Sequence, residues 1–336
     1  MSVPALQTRN LSIGYPRRRK ADICLARALN LRLEPGSLVG LLGPNGVGKS
    51  TLLRTLAAMQ APLAGQVLLD GEDARHMPPP QLAKSLSLVL TNTPHPVLMN
   101  GFELVALGRL PHSDWLGKLT DGDRAAINWA LSAVNAGELA DQVLTELSDG
   151  QLQKLMIARA LAQETAIMLL DEPTAFLDLP RRVEVMRLLK RLAHQSGRAI
   201  LVSTHDLEQA LRNCDQLWLM REGAMLVGTP EDLVLDGGMA ETFRADGISF
   251  DESSGAFAVE TSAGAAIHVK GSGTRESWMR RALERNGYRL DPAAGVADVS
   301  LGQNGQGPEW HLTIDGRLSR HHLVAEVLDA LTDAGL

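Results

Sequence analysis

An α/β fold with a parallel core sheet, followed by a small second α/β domain, is what this chain of 336 residues predicts. Three observations carry that prediction. Short apolar runs alternate with helix-periodic segments, a glycine-rich turn joins a buried strand to a helix, and the composition shifts near Gly247. Alternating strands and helices build parallel sheets, because each crossover helix covers a sheet face. The length suits two domains of roughly 150 residues, here expected at 4–246 and 250–336. At 45% hydrophobic and 21% charged residues the chain is globular, not disordered. A formal charge of -6 argues against a whole-chain electrostatic grip on nucleic acid. Cys24 and Cys214 lack a C-x-x-C pattern, which points to a reducing compartment and against structural zinc. No apolar run approaches the ~18 to 20 residues that span a bilayer. Work at a membrane would therefore go through a partner that spans it.

The elements follow in order. Ala5–Ile13 and Cys24–Leu33 read as strands joined by the basic turn Arg17-Arg18-Arg19-Lys20. Ser37–Leu42 is a buried strand, Ser50–Met59 a helix, and 66–69 and 85–90 further strands. From Gly101 to Asp149 the pattern is helical, with caps at Thr120 and Asp121. Gln151–Ala162 and Arg181–His194 are helices; 167–170 and 199–203 are strands. Beyond Gly247 come strands at 256–259, 266–269, 296–301 and 310–314, with helices at 276–286 and 323–331. His321 and His322 fall at the start of that last helix, where neighbouring side chains diverge too far to pair on a metal.

Gly43-Pro44-Asn45-Gly46-Val47-Gly48-Lys49-Ser50-Thr51 matches G-x-x-x-x-G-K-[ST] between a strand and a helix. Glycines let backbone N–H groups and the helix N-terminus wrap a phosphate. Lys49 would bridge the β- and γ-phosphates, and the Ser50 hydroxyl would ligate Mg²⁺. Ile167-Met168-Leu169-Leu170 ends in Asp171 and Glu172. A strand buried on both faces delivers such carboxylates to the sheet edge where phosphates bind. Asp171 would hold Mg²⁺ directly or through water, and Glu172 would polarise the attacking water. His205 follows another apolar strand. It would bond the γ-phosphate or orient that water, or else cap the next helix on the surface. Ser148 and Gly150 open the helix from Gln151 either as an ordinary N-cap or as an anion cradle. That cradle lies about a hundred positions from Lys49, so a symmetric dimer, each copy offering it to the other's nucleotide, solves the distance.

Together these motifs resemble the ATP-binding-cassette ATPases: phosphate loop 43–51, signature 147–151, Walker B 167–172 and His205, over about residues 4–245. Phe176-Leu177-Asp178 resembles the D-loop, and Tyr15 the aromatic residue that stacks on adenine. The segment Val105–His112 resembles importers of iron-siderophore, haem and cobalamin. The resemblance implies a RecA-like core with an antiparallel β subdomain and a helical signature subdomain. It also implies ATP and Mg²⁺ as ligands and a homodimer docked on integral membrane permeases at the cytoplasmic face of the cell membrane. An extracytoplasmic binding protein supplies substrate in such systems. Contacts to the permease are expected near 91–116, with Gly101, Phe102 and Trp115 as candidates.

Two positions depart from the family pattern. Thr91 stands where a glutamine is usual; its oxygen still suits Mg²⁺ or water, at shorter reach. Asp149 replaces the first glycine of the signature, and a carboxylate there is expected to point away from the γ-phosphate while Ser148 and Gly150 keep the contacts. The alternatives are a soluble cassette ATPase acting on ribosomes or DNA, an exporter subunit, and a P-loop GTPase or kinase. The last lacks an N-K-x-D motif. Residues 250–336 suit either a packing or dimerisation extension or a regulatory domain.

Overall fold

A six-stranded sheet organises the first part of the chain, in the order Ala224–Gly228, Gln216–Arg221, Leu38–Leu42, Ala199–Ser203, Ile167–Asp171, Leu86–Val89. All neighbours are parallel except the Ala224–Gly228 edge. The three central strands are buried at every residue, as continuous apolar runs in a parallel sheet require. Their register pairs Leu41 with Ser203 and Asp171 with Ser203, so the three end level. Gln216–Arg221 and Ala224–Gly228 extend the sheet beyond the strands the sequence reading anticipates.

The computed structural model describes residues 3–18, 20–90, 99–113, 117–175, 177–244, 248–251, 255–259, 264–291, 295–304 and 307–336. These form two units, Met1–Arg244 with Phe250–Ala256, and Ala245–Ser249 with Phe257–Leu336.

A second, antiparallel sheet in the first unit runs Ile23–Leu29, Leu6–Tyr15, Ala64–Leu69, Glu72–Asp73. The expected strand Cys24–Leu33 is broken: Arg32–Leu33 pairs separately with Leu6 and Gln7. Ala28 takes a left-handed backbone, φ 51. The buried Thr8 hydroxyl bridges the gap, donating to Leu29 O at 2.8 Å and accepting from Leu31 N at 2.8 Å. Between the two sheets lies helix Lys49–Leu56, whose Leu52, Leu53 and Leu56 pack with Leu11, Leu169 and Trp218. The other face of the core sheet is packed by helices Asp149–Ala162 and Leu179–Ser196, and helices Gly101–Ala106 and Asp121–Ala133 lie on Asp149–Ala162 in the same apolar cluster.

Arg109 ties the ends of these helices together. Its buried guanidinium donates to Asp123 Oδ1 at 2.8 Å, Ala162 O at 2.6 Å and Glu164 Oε2 at 2.6 Å. Asp123 also accepts from the Thr120 hydroxyl and N–H in a capping box. Those two bonds, with Arg109, hold the Asp123 carboxyl at about 2, below its ordinary 3.8. Gly101 is buried, and Phe102 packs on the core with Arg124 over its ring at 6.0 Å. The candidate contact role expected for these two thus meets a packing role; Trp115 lies outside the described residues.

The second unit holds a five-stranded sheet in the order Arg289–Leu290, Ala266–Lys270, Ala297–Asn304, Gly307–Ile314, Arg317–His321. Helices Thr274–Arg285 and Val324–Asp333 bury Met279, Leu283, Val327 and Leu331 against Val299, Trp310 and Leu312. His321 ends a strand here and does not start a helix. The cause is the two-residue turn Asp315-Gly316, with φ 48 and 76, which folds Ile314 against Arg317. Such a pair of left-handed residues matches the twist of a hairpin.

Arg109→Ala should destabilise the first unit by about 3–5 kcal/mol, the cost of orphaning a buried carboxylate, as read by denaturant unfolding. Because the folded Asp123 value is depressed, its stabilisation is present above 3.8 and is lost as pH falls toward about 2. Asp123→Asn should flatten that part of an acid-unfolding profile.

Candidate functional site

Three groups of polar residues leave the level ends of three adjacent parallel strands. Loop 43–48 follows Leu38–Leu42, Thr204 and His205 follow Ala199–Ser203, and Glu172 follows Ile167–Asp171. In open α/β sheets this carboxyl edge is where ligands bind.

The loop is shaped by glycine. Gly43 has φ 153, and a Cβ there would lie 2.4 Å from the Met220 carbonyl oxygen. Gly48 is left-handed, φ 118, and caps helix Lys49–Leu56 without a side chain, leaving first-turn N–H groups for an anion. Lys49 is buried, and its Nζ donates to Gly43 O at 2.8 Å and Pro44 O at 3.1 Å. Burial pulls its pKa below the ordinary lysine value, while the Glu172 and Asp171 carboxylates oppose that shift. One cation and two acids thus share one electrostatic neighbourhood. Ser50 is half-buried beside it, while Pro44, Asn45 and Gly46 are exposed along the loop and Val47 packs beneath it. Tyr15, 45% exposed, reaches the same helix, its hydroxyl 2.9 Å from Thr51 Oγ1.

Asp171 is buried and accepts from Ser203 Oγ at 2.6 Å. Glu172 sits in the left-handed region at φ 49, a conformation that costs an L-residue about 1–2 kcal/mol. Its Oε1 lies 2.6 Å from His205 Nε2. The His205 side chain therefore pairs with the acid; the capping role on the next helix falls to Asp206, which accepts from Gln209 N at 3.0 Å. A cleft of about 490 Å³ opens here, lined by Glu172, His205, Thr174 and Arg182 among others.

The signature segment lies elsewhere. Helix Asp149–Ala162 packs on the other helices and on Leu86–Val89, the far edge of the core sheet. Three ladder intervals separate that edge from the strand feeding the loop, on the order of 14 Å at ~4.8 Å each. Ser148 caps the helix in a capping box with Gln151, Asp149 is exposed at the first turn, and Gly150 is buried. Asp178 is also an exposed cap, accepting from Arg181 N at 3.1 Å. Thr91 and Phe176 lie outside the described residues. Sequence reasoning missed Ser203 and Met220. The signal for Ser203 is a hydroxyl closing an otherwise apolar strand; Met220 acts through its carbonyl, which no side-chain pattern reveals.

This fold and site define a P-loop nucleoside triphosphatase. Residues 26–175 match the family model described as ABC transporter, and residues 264–332 match the iron ABC transporter C-terminal domain. An uncharacterized ABC transporter ATP-binding protein of Methanocaldococcus jannaschii is 40% identical over 253 residues, 75% of this chain and 86% of that protein. The iron(3+)-hydroxamate import ATP-binding protein of Bacillus subtilis is 36% identical over 243 residues, 72% of this chain and 88% of that one. A solved dimer of an ATP-binding cassette, in a post-hydrolysis state bound to ADP and Pi, superposes with TM-score 0.59 at 26% identity, covering 67% of this chain and 98% of that one. The chain belongs to the ATP-binding proteins of ABC transporters and is an ATPase. Among the described residues no helix is long and apolar enough to cross a membrane.

Gly43→Ala should destabilise the first unit by about 1–3 kcal/mol, because the added methyl is driven into the Met220 backbone; denaturant unfolding reads it directly.

Proposed function

We propose that this chain is the ATP-hydrolysing subunit of an importer for ferric siderophores, with residues 4–246 as the nucleotide-binding domain and 250–336 as an accessory domain. The observation that carries the ATP-hydrolysing role is the convergence of Lys49, Asp171, Glu172 and His205 on one sheet edge. The iron transporter C-terminal match and the hydroxamate-import relative support the substrate class; haem and cobalamin are the competing cargoes.

Two copies enclose two ATP molecules. Each nucleotide lies between loop 43–51 of one copy and Ser148 and Gly150 of the other, with Asp178 at the seam and Tyr15 beside the base. Separation of the cradle from the loop within one chain favours that arrangement. Lys49 moves its ammonium from the loop carbonyls to the β- and γ-phosphates. Glu172 accepts the proton of the attacking water, and His205 holds the Glu172 carboxylate from its other side. Phosphate departure removes the bridge between copies, so the closed dimer is favoured only while ATP is bound.

The donor set suits Mg²⁺: the Ser50 hydroxyl, the buried Asp171 carboxylate and the Thr91 oxygen are hard oxygen ligands. When bound, Mg²⁺ neutralises charge on the phosphate oxygens. Integral membrane permeases place the dimer at the cytoplasmic face of the membrane, and an extracytoplasmic binding protein delivers the siderophore.

Lys49→Ala should abolish ATP binding measured by calorimetry. Glu172→Gln should keep ATP binding, lower turnover by about 10²–10⁴-fold, and trap the chain as a dimer in scattering measurements. Wild-type turnover by Glu172→Gln would refute the general base. Reconstituted with its permeases, the chain should drive uptake of labelled ferric siderophore in preference to haem or cobalamin.

A further inference from the structure

We propose that Ser203 is a positioning residue of the ATPase site, setting Asp171 and Glu172 from a single hydroxyl. The proposal rests on the reading of Glu172 as general base. Ser203 closes the strand Ala-Ile-Leu-Val-Ser and is 0% exposed. A hydroxyl sealed from water is unfavourable unless its donor and acceptor capacity are used. Here both are used, and on the two acids.

The Oγ lies 2.6 Å from Asp171 Oδ1 and 3.0 Å from Glu172 N. A hydroxyl has one proton and an N–H can only donate. The Glu172 N–H therefore donates to Oγ, and the Ser203 proton goes to the Asp171 carboxylate. The same N–H also reaches the Ser203 carbonyl at 3.2 Å. Ser203 and Asp171 are register partners across the ladder, so the hydroxyl stands at the point where the chain turns out of the sheet.

That turn is the left-handed Glu172 backbone, φ 49. An unfavourable conformation persists where its surroundings over-determine it, and the paired Ser203 acceptors on the Glu172 N–H do so. The turn in turn carries the carboxylate to within 2.6 Å of His205 Nε2.

The test uses the full chain with Ser203→Ala and Ser203→Thr, both checked as folded by thermal melting. Ser203→Ala should lower kcat by about tenfold or more, the conversion of a lost hydrogen bond of about 1.4 kcal/mol. The calorimetric Kd for ATP measured in EDTA, where Asp171 has no ion to hold, should stay within about twofold, since Lys49 and its loop are untouched. Ser203→Thr, which keeps the oxygen, should recover most of the rate. A Ser203→Ala variant with wild-type kcat, one that loses ATP affinity as much as rate, or a Ser203→Thr variant as slow as the alanine would each overturn the proposal. Glu172→Gln measured alongside separates the failures. Its wild-type turnover would sink the general base, whereas a stalled Glu172→Gln beside a fully active Ser203→Ala would sink only the positioning role.

Discussion

In a parallel ladder the hydrogen bonds fix where neighbouring strands end, and whatever follows those ends is delivered to one edge. Leu38–Leu42, Ala199–Ser203 and Ile167–Asp171 end level because Leu41 and Asp171 both pair with Ser203. Everything chemical in the first unit depends on that alignment. The loop carrying Lys49, the turn carrying Glu172 and the segment carrying His205 leave the sheet side by side. A slip of one residue in either ladder would turn every side chain of that strand to the opposite face.

The edge is an unfavourable place held by favourable surroundings. Lys49 is buried, Asp171 is buried and Glu172 has a left-handed backbone. Each is compensated locally: Lys49 by two loop carbonyls, Asp171 by the Ser203 hydroxyl, Glu172 by two acceptors on its N–H. Behind them, helix Lys49–Leu56 is packed between two sheets through Leu52, Leu53 and Leu56. That packing holds the loop end of the helix while the exposed loop residues stay available to a ligand.

The helical part of the unit is secured differently. Arg109 draws one guanidinium onto Asp123, Glu164 and the carbonyl of Ala162, so residues 107–112 are tied to the end of the helix that starts at the signature. Surface pairs such as Arg212 with Glu208 at 3.1 Å add little by comparison, since exposed ion pairs are worth about 0–1 kcal/mol. The signature helix itself packs on Leu86–Val89, at the far edge of the sheet from the phosphate loop.

Local chemistry was legible in the amino-acid order. The run Gly43–Thr51 and the apolar strand ending in Asp171 and Glu172 carry their meaning within a few residues, because a strand, a turn and a helix start are contiguous. The break between Leu29 and Arg32, the edge strands at 72–73 and 317–321, and the strands at 216–228 were not read. They depend on left-handed backbone at Ala28, Asp70-Gly71, Gly223 and Asp315-Gly316 and on a ladder partner that supplies half of each strand's hydrogen bonds. The sequence by itself determined which lysine, acids and hydroxyls lie within a few residues of each strand end, because those positions are contiguous in the chain. Tertiary structure alone decided that His205 meets Glu172 and that Ser203 meets Asp171, because those contacts join residues more than thirty positions apart and exist only once the strands share an edge.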